Sequence, residues 1–179
     1  KKKDMNNVIK RGVDIFRIAS HYTEADITQK HIEHVRKKNK KVYGVLMMSH
    51  MANKDVLFNQ AKKMREYGAS GLVLMDSAGA YLPRDVKEKI TFLKKKFKEF
   101  PIGFHAHNNL GLAIANSVEA VFAGASMIDG CARGFGAGAG NTQIEVLIAV
   151  FNKLKIKTNV DLYKILDCGD IAEKFLVKS

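Results

Sequence analysis

The feature that most limits what this sequence can fold into is a fivefold alternation of short apolar runs with longer amphipathic stretches. The runs occupy 13–19, 42–48, 71–75, 102–104 and 126–130, with a new one beginning roughly every 25–30 residues. Each is rich in Val, Ile, Leu, Met or Phe and is bounded by Gly, Asn, Asp or Ser. That pattern reads as strands buried on both faces. Between them, Leu57, Ala61 and Met64 recur at helical spacing, and Val86, Ile90, Leu93 and Phe97 make a clean stripe. Buried strands alternating with amphipathic helices predict an α/β fold with a parallel sheet. Two architectures satisfy this: a doubly wound sandwich, or five units of an eight-unit TIM-type barrel, whose usual length is about 250 residues. The barrel requires neighbouring strands in the order 1-2-3-4-5.

The helix signals place boundaries. Asp4 caps a first helix over 4–11, and Gly12 closes it in the left-handed conformation. Thr23 or Asp26 caps the second, with Ile27, His31 and Val35 on one face. Lys54 to Tyr67 is the third, stopped by Gly68, and Pro83 sits at a first helical position of the fourth. A fifth helix covers 110–123, a sixth begins at an Asn141 cap and runs to about Leu154, and a last one covers 161–176. Residues 1–158 are expected to form the barrel segment, and 159–179 a helical segment beginning a further region.

Composition excludes several functions. The chain has 179 residues, 46% of them hydrophobic, enough for a sizeable core. Lys and Arg number 30 against 18 Asp and Glu, a formal net charge of +12, which invites a nucleic-acid reading. The Lys runs at 37–41 and 94–98, however, fall at predicted helix C-termini, where cations complement the helix dipole. With no Trp and no aromatic platform, no nucleic-acid partner is expected. No apolar run suits a membrane span or a signal peptide. Cys131 and Cys168 match neither a disulfide framework nor a zinc motif, which points to the cytoplasm.

The chemistry concentrates in 101–111, Pro-Ile-Gly-Phe-His-Ala-His-Asn-Asn-Leu-Gly. His105 and His107 are two apart on a strand, so both imidazoles leave the same face of one backbone. Such a pair can present two neutral nitrogens to one metal ion; alternatively, one of them hydrogen-bonds backbone at the strand end. The pair sits where a strand feeds a helix, the end at which α/β folds place their chemistry. The loop Gly134 to Gly140 has glycines at every second residue, so neither a dinucleotide fingerprint nor a P-loop can be laid on it. It suits an anion above a helix N-terminus, or a purely conformational role. Asp76 and Ser77 end the third strand, as a cap and a turn hydroxyl or as pocket residues. His21 and His50 also end strands and are left outside the ligand set. Arg17 points into a barrel layer or pairs with Asp14, and Cys131 reads as a small packing residue.

These segments resemble the 4-hydroxy-2-oxovalerate aldolases over nearly the whole chain. The resemblance is carried by RIASHYTEADITQKHIEHVRKKNKKVYGVLMMSHM (17–51), the Asp76-Ser77-Ala78-Gly79-Ala80 turn, HAHNNLGLAIANS and GFGAGAGN. The HxHN element alone is shared with isopropylmalate synthases and hydroxymethylglutaryl-CoA lyases. The resemblance implies a β/α barrel of which the five strands here match the fourth to eighth. It also implies a divalent metal, most often manganese, on His105 and His107. Substrate contacts would come from His105 and from Ser77, the latter at the pyruvate carboxylate. The family's Arg-Asp pair and histidine base belong to a strand not found in this sequence, and its aldehyde-pocket tyrosine to a later region. Ala78, Asn108 and Arg133 depart from the family's usual residues.

The reaction so implied is retro-aldol cleavage of 4-hydroxy-2-oxopentanoate to pyruvate and acetaldehyde, in the catabolism of aromatic compounds. An acylating acetaldehyde dehydrogenase is the implied partner. With the pair, the base and the tyrosine outside it, the chain by itself is expected to turn over slowly or not at all. The alternatives are an acyl-CoA/2-oxoacid condensing enzyme of the isopropylmalate-synthase type, and a barrel remnant that binds without catalysing.

Overall fold

The structure is a computed structural model that describes residues 2–176. Among these residues the chain runs α1 (Lys2–Lys10), β1 (Ile15–His21), α2 (Gln29–Lys37), β2 (Lys41–Met47), α3 (Lys54–Glu66) and β3 (Leu72–Asp76). It continues through α4 (Pro83–Lys96), β4 (Ile102–Ala106), α5 (Ala113–Phe122), β5 (Met127–Ile128), α6 (Ile144–Lys153) and α7 (Leu162–Leu176). The strands form one sheet in the order β1-β2-β3-β4-β5, every pairing parallel. A doubly wound sheet would reverse its order at a switch point, and this one does not. The architecture is a five-unit arc of a β/α barrel.

Register shows which side chains share a face. Arg17 lies opposite Tyr43, Val45 opposite Val73, Met75 opposite His105, and Gly103 opposite Met127. Residues two apart stay on one face, so Arg17, Met75, His105 and Asp129 all project inward. In a flat sheet four strand spacings would separate β1 from β5 by about 19 Å, beyond the reach of two side chains. Yet Arg17 and Asp129 form a two-pronged ion pair. The sheet therefore curls, with this face concave. The opposite face carries Phe16, Val42, Leu46, Leu72, Leu74, Ile102 and Phe104, and it packs on the inward stripes of α2 to α5 to make the main core. Burying side chains such as Leu57 or Ile90 completely stabilises the fold by about 1.5–3 kcal/mol each.

Several local expectations shift. β1 begins at Ile15 rather than residue 13, because the Gly12 and Val13 amides turn back on the end of α1 and donate to the Ile9 and Val8 carbonyls. The inward face of α2 is Ile32 and Val35, with Ile27 58% exposed. Residues Ala25–Thr28 form a 3₁₀ turn, whose tighter winding rotates Ile27 outward, and neither Thr23 nor Asp26 caps it. The fifth helix starts only at Ala113, after Asn108 accepts from the Ala113 amide across a left-handed Gly111. Helix α6 starts at Ile144 with Gln143 at its N-cap, so Asn141 is not its cap. Lys94, Lys95 and Lys96 do occupy the last turn of α4, as the dipole argument requires.

At the far end, Leu147, Ile148 and Phe151 of α6 form a second, small core with Leu162 and Ile165 of α7. Arg133 ties α7 down through Asp170 at 2.6 Å and Glu173 at 2.9 Å. Residues 177–179 of the expected 159–179 segment lie outside the described residues. No described helix is long and apolar enough to cross a membrane.

Candidate metal and substrate site

Strand β4 ends on the two histidines. Its alternation sends Ile102, Phe104 and Ala106 into the core and His105 toward the concave interior, with His107 one step beyond the strand. The His107 amide donates to Asp76 O, extending the β3–β4 ladder by a residue. The two imidazoles face the same space, ring centroids 5.3 Å apart and 54° between planes. Two imidazoles bound side by side to one ion at nitrogen–metal distances of about 2.1 Å would have centroids about 4.6–5.3 Å apart. The observed separation falls at the upper end of that range. Among the described residues no group of three His, Cys, Asp or Glu is arranged to hold a metal.

Both nitrogens of His105 have partners. Nδ1 lies 3.1 Å from Asp129 Oδ2, and Nε2 lies 3.1 Å from Asn141 Oδ1. Burial alone would raise the Asp129 carboxyl, but hydrogen bonds from His105 and Arg17 outweigh it and hold the group down at about 2. Asn141 is fixed in turn, its Nδ2 donating to Phe135 O at 2.8 Å and approaching Cys131 Sγ at 3.3 Å. His107 Nδ1 faces Ala137 O at 3.4 Å, a long contact.

The glycine loop forms the rim of this site and is held by side-chain amides. Asn109 bridges it to the β3 loop, donating to Ala78 O at 2.9 Å and accepting from Ala139 N at 2.7 Å. Asn108 N donates to Gly140 O. A Cβ on Gly140 (φ +89°) would sit 2.2 Å from Gly134 O, so the loop closes on itself only with glycine there. Of the two sequence readings of this loop, the conformational one has direct support in these contacts.

Asp76 is fully buried and accepts from the amides of Ala80 and Tyr81, both at 3.0 Å, so it braces the β3–α4 loop. Ser77 follows onto the inner face, its Oγ accepting from Met48 N at 3.0 Å. Because Asp76 pairs with Ala106, Ser77 is level with His107 on the adjacent strand. Beneath it lies a buried polar knot. Tyr81 OH donates to Ser49 Oγ, and Lys89 donates to Tyr81 OH and to the carbonyls of Ser49 and His50. Burial pushes the Tyr81 phenol up and the Lys89 ammonium down. His50 lies against Tyr81, with Nδ1 3.5 Å from Asp76 Oδ1. His21 is held by Thr23 Oγ1 at 2.7 Å and lies against the Tyr22 ring at a tilt of 41°.

Of the two sequence readings of Arg17, the inward one matches its place on the concave face. Arg17 pairs with Asp129 rather than Asp14, whose partner is Lys40. Asp129 carries no sequence signal of its own; the β4–β5 register, with Phe104 opposite Ile128, sets it beside His105, and the curl of the sheet brings it to Arg17.

Comparison with known proteins fits this geometry. The chain is 59% identical over 173 residues to a 4-hydroxy-2-oxovalerate aldolase of Pectobacterium atrosepticum, covering 97% of this chain and 50% of that protein. It is 54% identical over 176 residues to a 4-hydroxy-2-oxovalerate aldolase of Spirochaeta aurantia, covering 98% of this chain and 51% of that one. The chain thus spans about half the length of the curated relatives it matches. In fold it is similar to the crystal structure of Bacillus subtilis HMG-CoA lyase, with a TM-score of 0.87 at 24% identity over 98% of this chain and 68% of that one. The family model described as HMGL-like matches residues 2–171, and on that match the chain belongs to the HMGL-like family.

Proposed function

We propose that this chain carries the metal-binding and pyruvate-binding part of a carbon–carbon lyase that cleaves 4-hydroxy-2-oxopentanoate to pyruvate and acetaldehyde. The observation that carries the reading is the His105–His107 pair at the carboxyl end of β4, with Ser77 level beside it. The identity to named aldolases supports the substrate class. Cleaving the C3–C4 bond leaves negative charge on the 2-keto oxygen. A divalent cation, manganese in this proposal, would supply Lewis acidity to offset that charge. His105 and His107 are the residues that would hold it. Ser77 Oγ already accepts from Met48 N, which leaves its own proton for a substrate carboxylate oxygen. The loop held by Asn109 closes the rim and limits water. No residue of this chain is assigned the base that takes the 4-hydroxyl proton. The proposal extends to a cytoplasmic enzyme of aromatic-compound catabolism, passing acetaldehyde to an acylating acetaldehyde dehydrogenase.

Calorimetric titration with oxalate, a two-oxygen mimic of the pyruvate enolate, tests the reading. Binding is expected only with Mn2+, lost in His105→Ala and in His107→Ala, and weakened about tenfold in Ser77→Ala, the effect of one hydrogen bond to a charged group. Oxalate binding that ignores Mn2+ and all three substitutions would overturn it.

A further inference from the structure

Asp129 takes no part in the reading above, yet it is the most constrained carboxylate on the concave face. Its amide donates to Phe104 O at 3.1 Å, anchoring it to β4 one residue before His105. Its Oδ2 lies 3.1 Å from His105 Nδ1, and its Oδ1 accepts from Arg17 Nη2 at 2.8 Å. Arg17 engages both oxygens, so the carboxylate cannot rotate away from the imidazole. An ionised carboxylate only accepts, so the nitrogen facing it must carry the proton.

We infer that Asp129, clamped by Arg17, is a positioning residue that fixes the pose and tautomer of His105, so that Nδ1 carries the proton and Nε2 faces Asn141 Oδ1. A carboxylate behind an imidazole orients the ring and raises its basicity as a ligand. Arg17 acts one step further back, by holding the carboxylate. The consequence for a metal rests on the function proposed above; the tautomer does not.

The test is nitrogen-15 NMR of the imidazoles in the metal-free 179-residue chain, in wild type, Asp129→Ala and Arg17→Gln. In wild type His105 Nδ1 is expected to be protonated. In Asp129→Ala the proton moves from Nδ1 to Nε2, where Asn141 Oδ1 accepts it. Arg17→Gln keeps the wild-type pattern with faster proton exchange. Mn2+ affinity, read by electron paramagnetic resonance, is expected to fall 10–100-fold in Asp129→Ala. An unprotonated Nδ1 in wild type overturns the inference, and that reading stands even if Asp129→Ala fails to fold. So does an unchanged tautomer in a folded Asp129→Ala. If the tautomer shift occurs but wild type binds no Mn2+, the proposed function fails and the positioning by Asp129 holds.

Discussion

Asn141 Oδ1 lies 3.1 Å from His105 Nε2 while its Nδ2 donates to Phe135 O, so one side chain ties the imidazole to the glycine loop. Replacing Asn141 by Ala strips the loop of both anchors. The expected cost is about 1–3 kcal/mol, the usual range for unpaired polar groups that are partly buried. Urea denaturation followed by circular dichroism would read it as a lower midpoint with an unchanged slope.

The glycines of this region are not equivalent. Gly140→Ala combines a φ of +89° with a Cβ 2.2 Å from Gly134 O, so the loop must open. Gly111→Ala has a φ of +70° but nothing within 4 Å of the new methyl. The second should cost only about 1–2 kcal/mol, the ordinary penalty for an L-residue in the left-handed region. The first should cost distinctly more and increase proteolysis within 134–140. Equal losses in the two variants would contradict the account of the loop.

The Arg17–Asp129–His105 contact has a pH signature in the metal-free chain. Asp129 is held at about 2, below the ordinary value of 3.8. A carboxyl depressed by folding contributes stability above its unfolded value and loses it as pH falls toward its folded value. The window is therefore pH 4 down to 2, and after allowance for solvent screening the contribution is about 1–2 kcal/mol. Asp129→Asn should lower stability at pH 6 by about that amount and flatten the acid limb of thermal melts. An unchanged acid limb would show that the contact does not hold the carboxyl down.

Tyr81 OH is the hub of the buried polar knot, between Ser49 Oγ and Lys89 Nζ, each at 3.2 Å. Tyr81→Phe keeps the ring against Phe104 and removes one donor and one acceptor. A loss of about 1 kcal/mol is expected. Hydrogen exchange should quicken at the Ala80 and Tyr81 amides that Asp76 holds.

The fold was legible because it rests on patterns repeated within single elements. The stripe of Val86, Ile90, Leu93 and Phe97 needs only helical spacing, and all four are buried. The repeat of strand and helix left a doubly wound sheet and a barrel open, and the observed order β1-β2-β3-β4-β5 is the one the barrel requires. The site was legible only in part. His105 and His107 are close in sequence, so strand geometry alone sets them on one side. Arg17 and Asp129 are 112 positions apart, and their meeting depends on how far four successive strand pairs curl, which no local pattern encodes. Asn141 failed as a cap for a related reason. A cap is inferred from position before an apolar run, whereas Asn141 is drawn to a histidine two elements away. Ile27 was misplaced because a 3₁₀ turn changes the period just where the helix was assumed to begin.

The central claim is that His105 and His107 together hold one divalent ion. Mn2+ titration of the metal-free chain, followed by electron paramagnetic resonance, tests it most directly. The account predicts one ion per chain, bound weakly as befits two nitrogen ligands, with binding lost in His105→Ala and in His107→Ala but kept in His21→Ala and His50→Ala. Mn2+ binding at wild-type strength in both the His105 and the His107 variant would contradict it.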